Sequence, residues 1–329
     1  MKVRSGVVAY TVDRTFFSLH YTQMNKLTLL LYPLFTVIGL TSCSADNGGK
    51  TSANANVNAN RYVGVSTAGN TVMPREVCRL EFPKVKGGSS MIIVHKALLN
   101  KRTGERGVNY CTEWDTSKKS LRWSCYQMYQ DISKTLVKRY RSSTNQYPYD
   151  ESIPAAYQFD GDPFWRTGYD HGHICPSADR LGSKEANVQT FYLSNMMPQT
   201  HAFNDGVWKN MEAQVRLWSL DDTCDTLYVC KGGTIDNPRQ ILTTLGQGLI
   251  VPKYFFMAVL CKNRRGYKAL GFWVRHEDNG DTSLSKYVVN IRELEKKTGI
   301  DFFCNLPDAI ERKVETLPVE KVRRAWRLP

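Results

Sequence analysis

Apolar and polar positions along this chain alternate between a strand-like and a helical period. Val108 to Trp114 and Leu121 to Met128 form two strand-like runs around the polar stretch Asp115 to Ser120. That pattern predicts a β-hairpin with Cys111 opposite Cys125. Further strand-like runs fall at Thr190 to Ser194, Thr226 to Val229, Leu249 to Val251, Phe255 to Leu260 and Ala269 to Val274. A helix is expected from Asn204, with Val207, Met211, Val215 and Trp218 on its core stripe and Asn204, Trp208 and Glu212 on the neighbouring one. Asn204 falls at or near the expected N-cap, where a side-chain oxygen satisfies an open backbone N–H. Ser285 to Thr298 begins extended and ends as a helix stopped by Gly299; Asp131 to Arg139 is an irregular or short helical connection, and Glu311 to Arg327 a short helix plus tail. Strand runs with few helices between them indicate an α+β fold with a mainly antiparallel sheet core.

The first residues follow another logic. Leu27 to Leu40 is an apolar run behind Met24-Asn25-Lys26, too short for a membrane span, and it ends in Leu40-Thr41-Ser42-Cys43. This end resembles a bacterial lipobox, which implies an initiator at Met24, cleavage before Cys43 and lipidation of Cys43. The protein is then expected to be exported and held by a lipid anchor at the membrane, in the periplasm, at the outer membrane or at the cell surface. An ordinary signal peptide or uncleaved anchor with an incidental Cys43 is the alternative. Residues 44–72, rich in Asn, Ala, Gly and Ser without an apolar period, form a flexible linker. The organisation is therefore 1–43 extension and signal, 44–72 linker, 73–329 globular domain.

Composition adds a partner class. Lys and Arg number 44 against 31 Asp and Glu, a formal charge of +13, which favours an anionic partner such as nucleic acid. Lys138-Arg139-Tyr140-Arg141 concentrates that charge around an aromatic residue. Beyond Cys43 there are eight cysteines, an even number compatible with disulfides in an exported chain. Cys111 and Cys125 are either one such bridge or two buried thiols.

The densest chemistry lies between Tyr169 and Glu212, where Asp170, His171, His173, Asn195, Asn204 and Glu212 sit among core residues. Asp170-His171-Gly172-His173 resembles the D-R-G-H pattern of the DNA/RNA non-specific endonucleases with a ββα-metal site, the group that includes secreted bacterial sugar-non-specific nucleases and mitochondrial endonuclease G. Ser194 to Gln199 is similar to the family's S-N-x-x-P-Q, followed by a helix with Asn204, Trp208 and Glu212. The resemblance continues through Leu227 to Ile235, Val251 to Phe256 and Ile291 to Phe303, and spans about Leu80 to Asp308.

The resemblance implies a Mg²⁺-dependent endonuclease acting on both DNA and RNA, leaving 5′-phosphate and 3′-hydroxyl ends. His173 would be the general base, Asn204 the metal ligand, Glu212 the orienter of metal-bound water and Asn195 a support for the loop. Mn²⁺ or another divalent cation could replace Mg²⁺, and no small-molecule cofactor is expected. Arg141, with Arg139 as competitor, would contact phosphate. His171 stands where the family has Arg, and either contacts phosphate when protonated or packs. If both histidines keep ordinary values near 6.5, His173 must be neutral where His171 must be charged, and the two demands conflict. Two other readings stay open: a zinc metallohydrolase built on His171, His173 and Cys175, and a nucleic-acid-binding lipoprotein with weak or no catalysis.

Overall fold

The structure is a computed structural model and describes residues 55–62, 73–280 and 283–328. Cys43, the apolar run before it and most of the 44–72 linker lie outside the described residues. The core is a seven-stranded antiparallel sheet in the order β1 (Ser90–Asn100), β2 (Glu105–Asp115), β3 (Ser120–Met128), β6 (Thr226–Gly233), β9 (Tyr254–Asn263), β10 (Gly266–Arg275) and β11 (Val288–Val289). Two small hairpins, β4 (Asp170–His173) with β5 (Met196–Gln199) and β7 (Ile241–Thr244) with β8 (Ile250–Pro252), stand beside it. The fold is α+β, as the strand pattern predicts.

The sheet is buried on both faces, and the period of two along β9 divides its side chains between two cores. Phe255, Met257, Val259 and Cys261 enter one core together with Val207, Trp208, Met211 and Val215. Phe256, Ala258 and Leu260 enter the other, against Ile291 and Leu294 of α4 (Ile291–Thr298) and Val314 of α5 (Asp308–Glu315). Gly299 closes α4 in the left-handed conformation at φ 71°, the stop expected for it. Pro318 divides the C-terminal stretch, so it forms α5 and α6 (Val319–Ala325) instead of one helix.

The hairpin β2–β3 forms as expected, with Cys111 paired to Cys125. Both are free thiols, which corrects the bridge expectation. Cys125 also pairs with Cys230 on β6, and all three are fully buried in the second core, acting as small apolar fillers.

Two elements near the site differ from expectation. Thr190 to Ser194 is a turn following α1 (Lys184–Gln189), and the strand lies later, at β5. Thr190 Oγ1 donates to the Asn187 carbonyl at 2.7 Å and Asn195 Nδ2 to the Thr190 carbonyl at 2.8 Å, local bonds that outcompete strand propensity. The helix starts earlier, at α2 (His201–Phe203), passes through a wide π-turn over Asn204–Trp208 and continues as α3 (Lys209–Ser219). Asn204 is therefore inside the helical run, and Thr200 holds the cap position.

Candidate active site

The hairpin β4–β5 pairs Asp170 with Gln199, His171 with Pro198, Gly172 with Met197 and His173 with Met196. Gly172 is required by space: a Cβ there would stand 2.3 Å from Cδ of the fully buried Gln199. Residues 171 and 173 share one face of β4 because side chains alternate.

His173 packs edge-on against Phe191 with ring centroids 4.8 Å apart, and its carbonyl accepts from Trp208 Nε1 at 3.3 Å. Its ring bonds the His171 backbone carbonyl, while buried Nε2 has no partner. The donor is thus Nδ1–H, and Nε2 presents a lone pair. Burial, and then the Arg139 charge, push His173 down to about 3. It is neutral across the physiological range, which removes the conflict with His171 expected from ordinary values.

Asn204 Nδ2 donates to Asp170 Oδ2 at 3.0 Å, and the same carboxylate oxygen faces His201 Nδ1 at 2.9 Å. Asp170 thereby orients the amide and leaves Asn204 Oδ1 as the outward acceptor. Glu212, one helix segment on, pairs at 3.3 Å with the ammonium of Lys231, whose side chain is fully buried between the rings of Tyr126 and Trp208. Burial pushes Glu212 up despite that cation. Lys231 escaped sequence reasoning, although a Lys inside the apolar run LYVC-K-GG was a signal, since lone lysines are rarely fully buried.

His171 is held from three sides. Its ring stacks on Tyr147 at 3.6 Å and on Phe164 at 4.3 Å, and Nε2 is 3.0 Å from both carboxylate oxygens of Asp162. Of the two readings, phosphate contact or packing, the geometry favours packing. Asp162, also unremarked in the sequence, stays low despite its partial burial because of this hydrogen bond. Asn195 is a fully buried clamp: Oδ1 accepts from Cys175 N at 2.9 Å and Nδ2 donates to the Cys175 carbonyl at 2.9 Å, fixing the chain just after β4.

Arg139 lies with its guanidinium 4.8 Å from the Phe191 ring, the ring on which His173 rests. Arg141 is exposed, close enough for its charge to bear on Arg139. Of the two cations, Arg139 is the one whose charge bears on His173. The zinc reading loses its geometry here. His171 Nε2 is engaged by Asp162, Cys175 is buried with its thiol pushed up to about 12, and neither histidine belongs to a cluster of metal-ligand type among the described residues.

A hairpin bearing a neutral histidine, packed on a helix that bears Asn204 and Glu212 over an antiparallel sheet, defines a ββα-metal nuclease fold. Residues 94–309 match the family model of DNA/RNA non-specific endonuclease, and the chain belongs to that family of phosphodiester hydrolases. A nuclease of Nostoc sp. is 27% identical over 219 residues, covering 63% of this chain and 75% of that one. The mitochondrial nuclease of Saccharomyces cerevisiae is 30% identical over 48% of this chain and 53% of its own, and mitochondrial endonuclease G of Bos taurus is 28% identical over 48% and 55%. The chain thus spans little more than half of these mitochondrial relatives. A crystal structure of the EndoG/EndoGI complex shares the fold, with a TM-score of 0.53 at 24% identity over 63% of this chain and 86% of that one.

Proposed function

We propose that this protein is a Mg²⁺-dependent endonuclease that hydrolyses phosphodiester bonds of DNA and RNA without sequence preference. The observation that carries the reading is the unpartnered Nε2 of a neutral His173. A lone pair held in place and free at all working pH values can take a proton from the attacking water. Arg139 and Arg141 supply positive charge beside it for the phosphate. His171 positions rather than reacts, holding the Asp162 loop through its aromatic sandwich.

The donor set suits a hydrated Mg²⁺, which needs few protein oxygens: Asn204 Oδ1 would hold it, and Glu212 would orient its water. When bound, the ion would offset charge developing on the phosphate and leaving oxygen. The test is cleavage of supercoiled plasmid and of a structured RNA after chelation, with Mg²⁺, Mn²⁺ or Zn²⁺ restored singly. Cutting of both substrates with Mg²⁺ is expected; Zn²⁺-only cutting, or binding without cutting under every cation, defeats the proposal. Asn204→Ala should lower Mg²⁺-supported cutting by at least the roughly 10- to 100-fold lost when a group beside a metal is removed. Its melting temperature should barely move, because among the described residues the Asn204 side chain satisfies no helix-end backbone group and bonds only the Asp170 carboxylate; an active variant would show that the ligand lies elsewhere.

The lipid anchor at Cys43 completes the proposal. Its support is the apolar run and the Leu40-Thr41-Ser42-Cys43 end. Palmitate labelling of the expressed full chain should mark the wild type and not Cys43→Ser, and an unlabelled protein released to the medium rules the anchor out.

A further inference from the structure

On the first-core face of the sheet, where α3 hands the chain to β6, Cys224 and Cys261 face each other with sulfurs 3.1 Å apart and 37 positions apart in sequence. Cys261 lies on β9 beside Leu227 of β6, whereas Cys224 belongs to the loop. That loop is pinned on both sides, by Cys224 N on the Asp221 carbonyl at 2.8 Å and by Asp225 N on the Lys262 carbonyl at 3.0 Å. A disulfide needs sulfurs about 2.05 Å apart, so closing this pair requires about 1 Å of movement, which one side chain in a loop can supply. Trp218, Trp326 and Lys268 line the same small pocket.

We propose that Cys224 and Cys261 are a disulfide-forming pair, a modification site that braces the exit of the helix carrying Asn204 and Glu212. The proposal is independent of the nuclease reading. The oxidant is a small-molecule disulfide, and the exchange runs in two steps. The Cys261 thiolate, which lines the pocket, attacks one oxidant sulfur; the oxidant S–S bond breaks, a mixed disulfide forms and one thiolate leaves. Cys224 then attacks Cys261 Sγ, breaks the mixed bond and releases the second thiolate. The two protons lost by the cysteines end on the two released thiols: two protein thiols are oxidised and one disulfide is reduced. The bond to Cys224 and then the Lys268 charge hold the Cys261 thiol below its ordinary range, while the same contact and burial push the Cys224 thiol up, which suits Cys261 to the first attack. Cys111 and Cys125 also face each other across the hairpin, but both lie fully buried in the other core, where burial pushes the Cys125 thiol well up.

The reduced full chain is incubated with oxidised glutathione, quenched with N-ethylmaleimide and digested without reduction for mass spectrometry. The expected product is a cross-linked peptide joining Cys224 to Cys261, with two fewer alkylatable thiols on unfolding. Closing so long a loop should raise the melting temperature by about 5 to 10 °C, a gain lost on reduction and absent in Cys224→Ser. The indole fluorescence from the Trp218 and Trp326 pair should change with the same oxidation midpoint. Full alkylation of both thiols after oxidation, glutathione left attached at Cys261, or a dominant bridge elsewhere would each overturn the proposal. The peptide map of the wild type decides this even if Cys224→Ser does not fold.

Discussion

His173→Ala should lower plasmid cleavage by about 10²- to 10⁴-fold while leaving the fold intact, because it removes the proposed base without touching the Asn195 clamp or the β4–β5 register. The pH profile is the sharper measurement. With His173 held at about 3 by burial and then by Arg139, the wild-type rate should show no imidazole limb near 6.5 and stay level from about pH 5 to 8. The sign for stability follows from the same displacement. A histidine whose folded value is depressed keeps its full native contribution above the unfolded value near 6.5 and loses it as pH falls toward the folded value. The His173→Ala variant should therefore lose less stability than wild type between about pH 6 and 4. A wild-type rate that climbs steeply through 6.5 would mean that His173 is solvated and charged in acid, contrary to the geometry.

Lys231→Met should be the most destabilising single change at the site. Removing one member of a buried ion pair leaves the other charge uncompensated, at a cost of about 3 to 5 kcal/mol, which for a domain of this size is roughly 10 °C in melting temperature. The deficit should depend on pH. Glu212 already stands above its ordinary value through burial, and losing Lys231 raises it further. A carboxyl with a raised folded value destabilises nothing below the unfolded value near 4.5 and exacts its full cost above the folded one. The variant should accordingly approach wild-type stability below about pH 5 and fall furthest behind at pH 8, as read by circular dichroism melts. Lys231→Met/Glu212→Gln should recover part of the loss, and a pH-independent deficit would assign the effect to packing alone.

Much of this protein is legible in its sequence because the determining interactions are local or strictly periodic. The β2–β3 hairpin, the strands β6, β9 and β10, and the Gly299 stop of α4 follow from alternation and turn chemistry among near neighbours. The order His171-Gly172-His173, then Asn195, Asn204 and Glu212, marks the site and carries the family resemblance. What the sequence cannot express is which groups meet across long separations. Lys231 reaches Glu212 only because β6 lies beneath α3, and Asp162 and Tyr147 meet His171 only once their loops fold over β4. Tertiary contacts also set the details that bear on chemistry: desolvation takes His173 from a titrating imidazole to a neutral one, and His171, a candidate phosphate contact by sequence, is stacked between Tyr147 and Phe164 with Nε2 on Asp162. The turn at Thr190 and the π-turn at Asn204 likewise depend on side chains satisfying particular backbone groups, a competition that propensity alone does not rank. Sequence order thus determined which residues form the site, and burial with long-range pairing determined what charge, tautomer and partner each of them holds.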